Sequence, residues 1–220
     1  MKKKILSVCL VLALIAVLAT GTLAYFTDSE TADNVFVMKG VSIDLEEDFD
    51  PEDADDIVPD TTVTKGVEVT NIGTTDAYVR VQIAVPADLD DGFVTLNKND
   101  GNWSWTKKDG QTPNKYTASI NNEEYVVYVG TYTKALAANE ATANKALESV
   151  YIDKNITCEE NAQLGGYDYF NAAGVKANYR ADGTFHIYVI AEGTQKNPFD
   201  NAFDALDTAF GEPGNYTVAW

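Results

Sequence analysis

"DAYVRVQIAVP", residues 76–86, decides the fold. From Ala77 onwards, Ala77, Val79, Val81, Ile83 and Val85 fall on one side of an extended chain, and Tyr78, Arg80 and Gln82 on the other. A period of two belongs to a strand. Branched side chains fit a pleated, half-buried surface, and Pro86 closes the run. The pattern predicts a strand over 77–85 with one face in a core and the other outward. On that expectation Val79→Asp costs at least about 3 kcal/mol and Arg80→Ala under about 1 kcal/mol.

Working outward, residues 62–70 alternate through Val63, Val67 and Val69, with a slip at Lys65-Gly66 that reads as a bulge. Residues 71–76 read as a turn, and 35–38 and 41–45 as short strands. Further strands are expected at 125–132, 185–190 and 216–220. Two excursions interrupt the series. Residues 88–122 carry Trp103 and Trp105 in an Asn-, Asp-, Gly- and Lys-rich background and suggest a hairpin with cross-strand aromatic pairs. Residues 155–183 form the second. The alanine-rich stretch 135–147 predicts a helical turn or two. Residues 197–211 predict a helix, with Pro198 at its first position, Gly211 as its stop, and Phe199, Phe203, Leu206 and Phe210 on one buried face. Strands in series, one late helix and no βαβ alternation indicate an all-β chain: an antiparallel jelly-roll-like β-sandwich with a short helix near the C-terminus.

The start of the chain is of another kind. Lys2, Lys3 and Lys4 precede an apolar run from 5 to 19, and small residues follow at 20–24. That is the form of a secretory signal peptide, with cleavage expected between Ala24 and Tyr25. The chain therefore divides into a signal peptide at 1–24, an N-terminal strand segment and acidic loop at 25–62, and a sandwich domain at 63–220. The loop holds ten Asp or Glu among residues 44–60 and is expected to be solvated. Losing the three lysines takes the basic count from 16 to 13 against 34 acidic residues, a net charge of −21. Such a surface repels nucleic acid and anionic lipid, so neither is an expected partner, and no membrane association is expected after cleavage. Cys9 leaves with the signal, and Cys158 is then without an intramolecular partner.

Several blocks share a recognisable pattern. The first is Gly21-Thr22-Leu23-Ala24-Tyr25-Phe26-Thr27-Asp28-Ser29-Glu30, continued by Asn34-Val35-Phe36 and Gly40-Val41-Ser42-Ile43-Asp44-Leu45. Next comes Val67-Glu68-Val69-Thr70-Asn71-Ile72-Gly73, running into Asp76-Ala77-Tyr78-Val79-Arg80-Val81. The last is Ile190-Ala191-Glu192-Gly193-Thr194-Gln195, ahead of the Phe-rich helix. In these blocks the chain resembles the TasA/camelysin family of secreted bacterial proteins, processed by a SipW-type signal peptidase. The resemblance implies an extracellular jelly-roll subunit of the cell surface or biofilm matrix that assembles into fibres. The implied partners are further copies of itself, head to tail, and related matrix proteins.

Physical reasoning supplies a route to such fibres. A sandwich has strand edges, and an extended segment at a free N-terminus can pair with the edge of a neighbour. Tyr25, Phe26, Val35, Val37, Val41 and Ile43 form the candidate donor segment. The rival arrangement pairs residues 35–45 within their own sandwich. Candidate calcium ligands are Asp44, Glu46, Asp48, Asp50, Asp53 and Asp55, because hard cations take carboxylate oxygens, although no EF-hand spacing is present. The alternative function is a monomeric cell-surface or polysaccharide-binding module with Trp103, Trp105, Tyr116 and Tyr167 as stacking platforms. A camelysin-like metalloprotease is weighed against the residues present. His186 is the single histidine, no HExxH pair occurs, and no Ser-His-Asp or Cys-His grouping is evident. No catalytic residue is therefore assigned, and the chain is expected not to be an enzyme.

Overall fold

Strand-forming sequence governs the chain. The computed structural model, which describes residues 40–55, 57–90, 92–180 and 183–220, arranges it mainly as two antiparallel sheets. In chain order the elements are β1 (Ile43–Asp48), a 3-10 turn (Pro51–Ala54), β2 (Thr62–Asn71), β3 (Ala77–Pro86), α1 (Ala87–Asp90), β4 (Val94–Lys98), β5 (Trp103–Ser104), β6 (Lys115–Ile120), β7 (Glu123–Tyr132), β8 (Glu140–Ala141), β9 (Leu147–Ile152), β10 (Thr157–Glu160), β11 (Tyr167–Phe170), β12 (Tyr188–Gln195) and α2 (Ala202–Phe210). The first sheet runs β1-β2-β9-β4, with β8 also on β2. The second runs β12-β3-β7-β5, with β6 also on β7, and β10 pairs with β11 in a separate hairpin. The chain passes between the two main sheets after β2, β3, β4 and β7 and again, by way of the β10–β11 hairpin, between β9 and β12, the weave of a jelly-roll-like sandwich.

The core lies between those sheets. Val67 and Val69 of β2, Val79, Val81, Ile83 and Val85 of β3, Trp103 of β5, and Leu147 and Val150 of β9 belong to one buried cluster. Each such side chain removed from water contributes roughly 1.5–3 kcal/mol. The slip at Lys65-Gly66 is real: the β2–β9 register shifts between Thr64 and Val67.

β3 departs from its expectation on one face only. Its inward alternation is as predicted, but all ten of its residues are buried. Helix α2 and the segment after it cover the face expected to be outward. Tyr78 packs with Ala202, Ala205 and Leu206 of α2, and Ala84 shares a cluster with Ile120, Tyr125, Val127 and Trp220. Alternation reports two chemically different faces, and here the second is polar because it meets a polar layer.

Other boundaries also move. Residues 135–147 form no helix, because their backbone bonds to β2 instead. The N–H groups of Asn139, Thr142 and Ala146 donate to the carbonyls of Asn71, Val69 and Val67. Sheet pairing overrides alanine's helix propensity. Helix α2 starts at Ala202 rather than Pro198, since the Asn201 side chain supplies the cap by accepting from the Asp204 N–H at 3.0 Å. Gly211 ends it at φ 96°, as expected. Leu206 is buried as expected and Phe199 and Phe210 pack half-buried against it, but the fully covered positions beside it are Ala202 and Ala205, and Phe203 is only half-buried. Small side chains let the helix approach the sheet closely. β12 begins at Tyr188, not 185, and residues 216–220 form no strand. The expected domain boundary at Val63 falls inside β2, and the preceding β1 belongs to the same sheet.

Candidate functional site

The site is built where residues 40–48 join the sandwich. The Gly40 N–H donates to Thr74 Oγ1 at 3.1 Å, and the Thr74 N–H donates back to the Gly40 carbonyl at 3.0 Å. Gly73 makes room for this crossing: a Cβ there would lie 2.7 Å from both the Gly40 oxygen and the Ser42 nitrogen. Asn71 sets the turn beneath it. Fully buried, it accepts from the Gly73 N–H through Oδ1, and its Nδ2 reaches the carbonyls of Thr75, Leu136 and Ala137 at 2.8–3.1 Å. Sequence reading marked 71–76 only as a turn. The buried Asn-x-Gly pair is the signal that pointed further.

Beyond this clasp, β1 pairs antiparallel with β2 from Ile43↔Asn71 to Asp48↔Gly66. Ile43 and Leu45 turn inward and pack against the core. Ile43 also reaches the other sheet, where a Cβ on Gly193 of β12 would lie 2.7 Å from Ile43 Cγ2. Among the described residues β1 and β12 are each the outer strand of a sheet, and this contact joins them. Ile43, one of the candidate donor residues, is thus held in its own sandwich, the rival arrangement for this part of the segment. Val41 is half-buried just ahead of the ladder. Ala24, Tyr25, Phe26, Val35 and Val37 lie outside the described residues.

The candidate calcium ligands do not converge. Asp44, Glu46 and Asp48 stand exposed along β1, and Asp48 pairs with Lys145 at 2.8 Å. Asp50 caps the 3-10 turn, accepting from the Glu52 N–H at 3.0 Å. Asp53 and Asp55 are exposed on or beside that turn. The stretch is therefore part strand and part turn rather than a free loop. Among the described residues no group of three or more His, Cys, Asp or Glu side chains is placed to hold a metal ion. His186 is exposed and stacks on Tyr188 at 5.9 Å. These residues do not fit the metal centre of a protease.

The most concentrated polar chemistry lies under α2. Arg80, 1 % exposed, donates through Nε to Glu192 at 2.5 Å and through Nη1 to Asp207 at 2.9 Å. Its Nη2 donates to the Gly211 carbonyl at 3.1 Å and to the Tyr216 hydroxyl at 2.8 Å. That hydroxyl also accepts from Gln82 and donates to Glu192, while Tyr116 donates to Gln82 Oε1 at 2.6 Å. Burial pushes the Tyr116 phenol up to about 12 and the Tyr216 phenol higher, so both stay protonated. Burial likewise raises the Asp207 carboxyl, against the pull of Arg80. For Arg80, burial opposes the charged form, but Glu192 outweighs it and the guanidinium stays charged. Among the described residues no buried side-chain nitrogen or oxygen lacks a partner. The network is a closed structural knot. Sequence reading missed it because its members come from β3, β6, β12, α2 and residues 211–216.

Most of the expected sugar platforms have other work. Trp103 is 2 % exposed, edge-on to Tyr132 at 5.1 Å, and its indole N–H donates to the Asn144 carbonyl. Trp105 lies on Gly130, where a Cβ would sit 2.7 Å from its ring. Tyr116 serves the knot. Tyr167 remains exposed, alongside Tyr169 and the thiol of Cys158 on the β10–β11 hairpin.

An antiparallel jelly-roll-like sandwich whose incoming segment is clasped at Gly73 and Thr74 defines an all-β sandwich protein. Residues 1–102 match the family described as camelysin metallo-endopeptidase, in agreement with the resemblance that the sequence blocks carry. The match runs from the first residue through the clasp, β3 and β4. No curated protein matches the chain.

Proposed function

We propose that the chain is a secreted structural protein of the cell surface or biofilm matrix. It assembles into fibres by donating its N-terminal segment to a neighbour after cleavage between Ala24 and Tyr25. The observation that supports this best is the family match, because it begins at the signal-like start and runs through the segment that would be donated. The clasp adds a physical reason. Gly40 is fastened at the edge of the sandwich, so residues ahead of it leave from a fixed point. A donor tied at one fixed point gives a head-to-tail contact, and such contacts grow as filaments. The same reading takes the chain as non-catalytic. Its support is a sequence with one histidine.

The test is electron microscopy of two purified chains at equal concentration and salt. One starts at Tyr25 and the other at Lys39, which keeps Gly40 and all of β1. Filaments from the first and none from the second are expected. Filaments from both would end strand donation by residues 25–38.

A further inference from the structure

We propose that the cleft between β6 and residues 214–220 binds one ring of a neutral polysaccharide. The proposal is independent of fibre assembly and gives the protein a ligand. The cleft has a volume of about 170 Å³, below the roughly 300–1,000 Å³ of sites for drug-sized ligands, so it takes a single small ring. No acidic or basic side chain lines it, although charged residues make up 23 % of the chain. An ionic ligand would therefore meet no countercharge there.

Three aromatic rings stand in its walls: Tyr116, Tyr216 and Trp220. Two of them are held from behind by the knot. The Tyr116 hydroxyl donates to Gln82, and the Tyr216 hydroxyl joins Arg80, Gln82 and Glu192. Those hydroxyls are spent, and what the two residues offer the cleft is ring surface. A Cβ on Gly214 would lie 3.0 Å from Tyr116 Cγ, so the backbone there lies against the ring and fixes the wall. Trp220 is half-buried and packs with Ala84, Ile120, Tyr125 and Val127.

The polar groups of the cleft are uncommitted. Trp103 and Trp105 donate their indole N–H groups to the carbonyls of Asn144 and Asn99, at 3.0 and 2.7 Å. The Trp220 N–H has no acceptor among the described residues, and it is not sealed from solvent. Thr117, Ser119 and Thr217 are exposed, and among the described residues their hydroxyls have no protein partner either. β6 pairs with β7 on one side only, so its other edge adds backbone donors and acceptors. A sugar ring answers both halves of this surface. Its C–H face lies on an aromatic ring, and its hydroxyls donate to and accept from hydroxyl, indole and backbone groups. A purely apolar ligand would leave those polar groups covered and unpaired.

Affinity electrophoresis of the full chain tests this, in native gels cast with hydroxyethylcellulose, dextran or galactomannan as neutral probes and alginate as the acidic one. Retardation by a neutral polymer is expected, and none by alginate. Trp220→Ala should weaken binding about tenfold, the loss of a ring contact and its N–H. Ser119→Trp fills the cleft from an exposed position and should abolish retardation, with the melting temperature within a few degrees of the parent's. Tyr167→Ala removes an exposed ring on the β10–β11 hairpin and should change nothing. Retardation by no neutral polymer, or by alginate alone, would overturn the proposal. Full retardation of Ser119→Trp would overturn the cleft, and its loss in Tyr167→Ala would move the polysaccharide to the hairpin.

Discussion

At the scale of single residues, Arg80 and Gly130 make the sharpest statements. Arg80 was expected to be replaceable, because strand alternation put it opposite the valines. It is instead buried between two carboxylates. Arg80→Ala would strand Glu192 and Asp207 with no countercharge, and removing one partner of a buried pair costs roughly 3–5 kcal/mol. Urea melts should show that loss, comparable to Val79→Asp, where a carboxylate would enter a fully buried site. A cost for Arg80→Ala under about 1 kcal/mol would mean that the knot is absent in solution. Gly130→Ala forces a methyl into the Trp105 ring and should cost about 1–3 kcal/mol. Its readout is the shift in midpoint, with the Trp105 emission changed as well. Half of Arg80's environment was legible in the sequence: the strand and its two-sidedness. The other half depends on residues 112 to 136 positions away, and no local pattern encodes such distances.

At the scale of elements, two connections hold the periphery to the sandwich. Residues 211–216 are fastened through Tyr216, so Tyr216→Phe should cost about 1–3 kcal/mol. Amide exchange over 212–220 should rise well before that of β3 and β7; equal rates would mean that residues 212–220 unfold only with the sandwich. The second excursion is fastened through Arg180, whose guanidinium grips both oxygens of Asp88 on α1 at 2.9 Å and also reaches Glu123 at the start of β7. Burial would raise the Asp88 carboxyl, but hydrogen bonds from Arg180 and from the Asn178 N–H outweigh it and hold the carboxyl below its usual range. A carboxyl lowered by folding contributes stability that is present above its unfolded pKa and is lost as pH falls through its folded one. Asp207 has the opposite sign: raised by burial, it favours the fold below its unfolded pKa and loses that contribution as pH rises through the folded one. Asp88→Asn should therefore be less stable than the parent at pH 7, with the gap narrowing below about pH 4. A constant gap between pH 7 and 3 would show that Asp88 does not titrate with folding. Among the elements, β2, β3 and β7 were readable from alternation and turn residues alone. The extent of β12 and the form of the 135–147 connection were not, because partner strands rather than intrinsic propensity decide where their ladders lie.

At the scale of the whole molecule, the structure redraws the division between donor and domain. Residues 25–45 formed one candidate segment in the sequence, with strand-like runs on both sides of Gly40. The sandwich takes the second run as β1, and the first lies outside the described residues. Truncation should follow that line. A chain starting at Lys39 should unfold in one cooperative transition close to the parent's midpoint. One starting at Val63 lacks β1, uncovers β2 along six paired positions and removes Ile43 and Leu45 from the core. Its transition should broaden or fall by several degrees, as calorimetry would show. Equal midpoints for the two would mean that β1 adds nothing to the sandwich.

The clasp at Gly40 also has a mechanical meaning. Tension on residues ahead of it enters the molecule through the two hydrogen bonds to Thr74 and passes to β1, whose six-residue ladder is the next thing to resist. Behind that ladder stand Ile43 and Leu45, set between the sheets, so extraction would wet apolar side chains as well as break backbone bonds. Force along the chain is met first at a sheet edge and not in the centre of the core. A pulled molecule would yield by shedding one strand while β3 and its Arg80 knot stayed closed, and slackening would let that strand re-seat on β2.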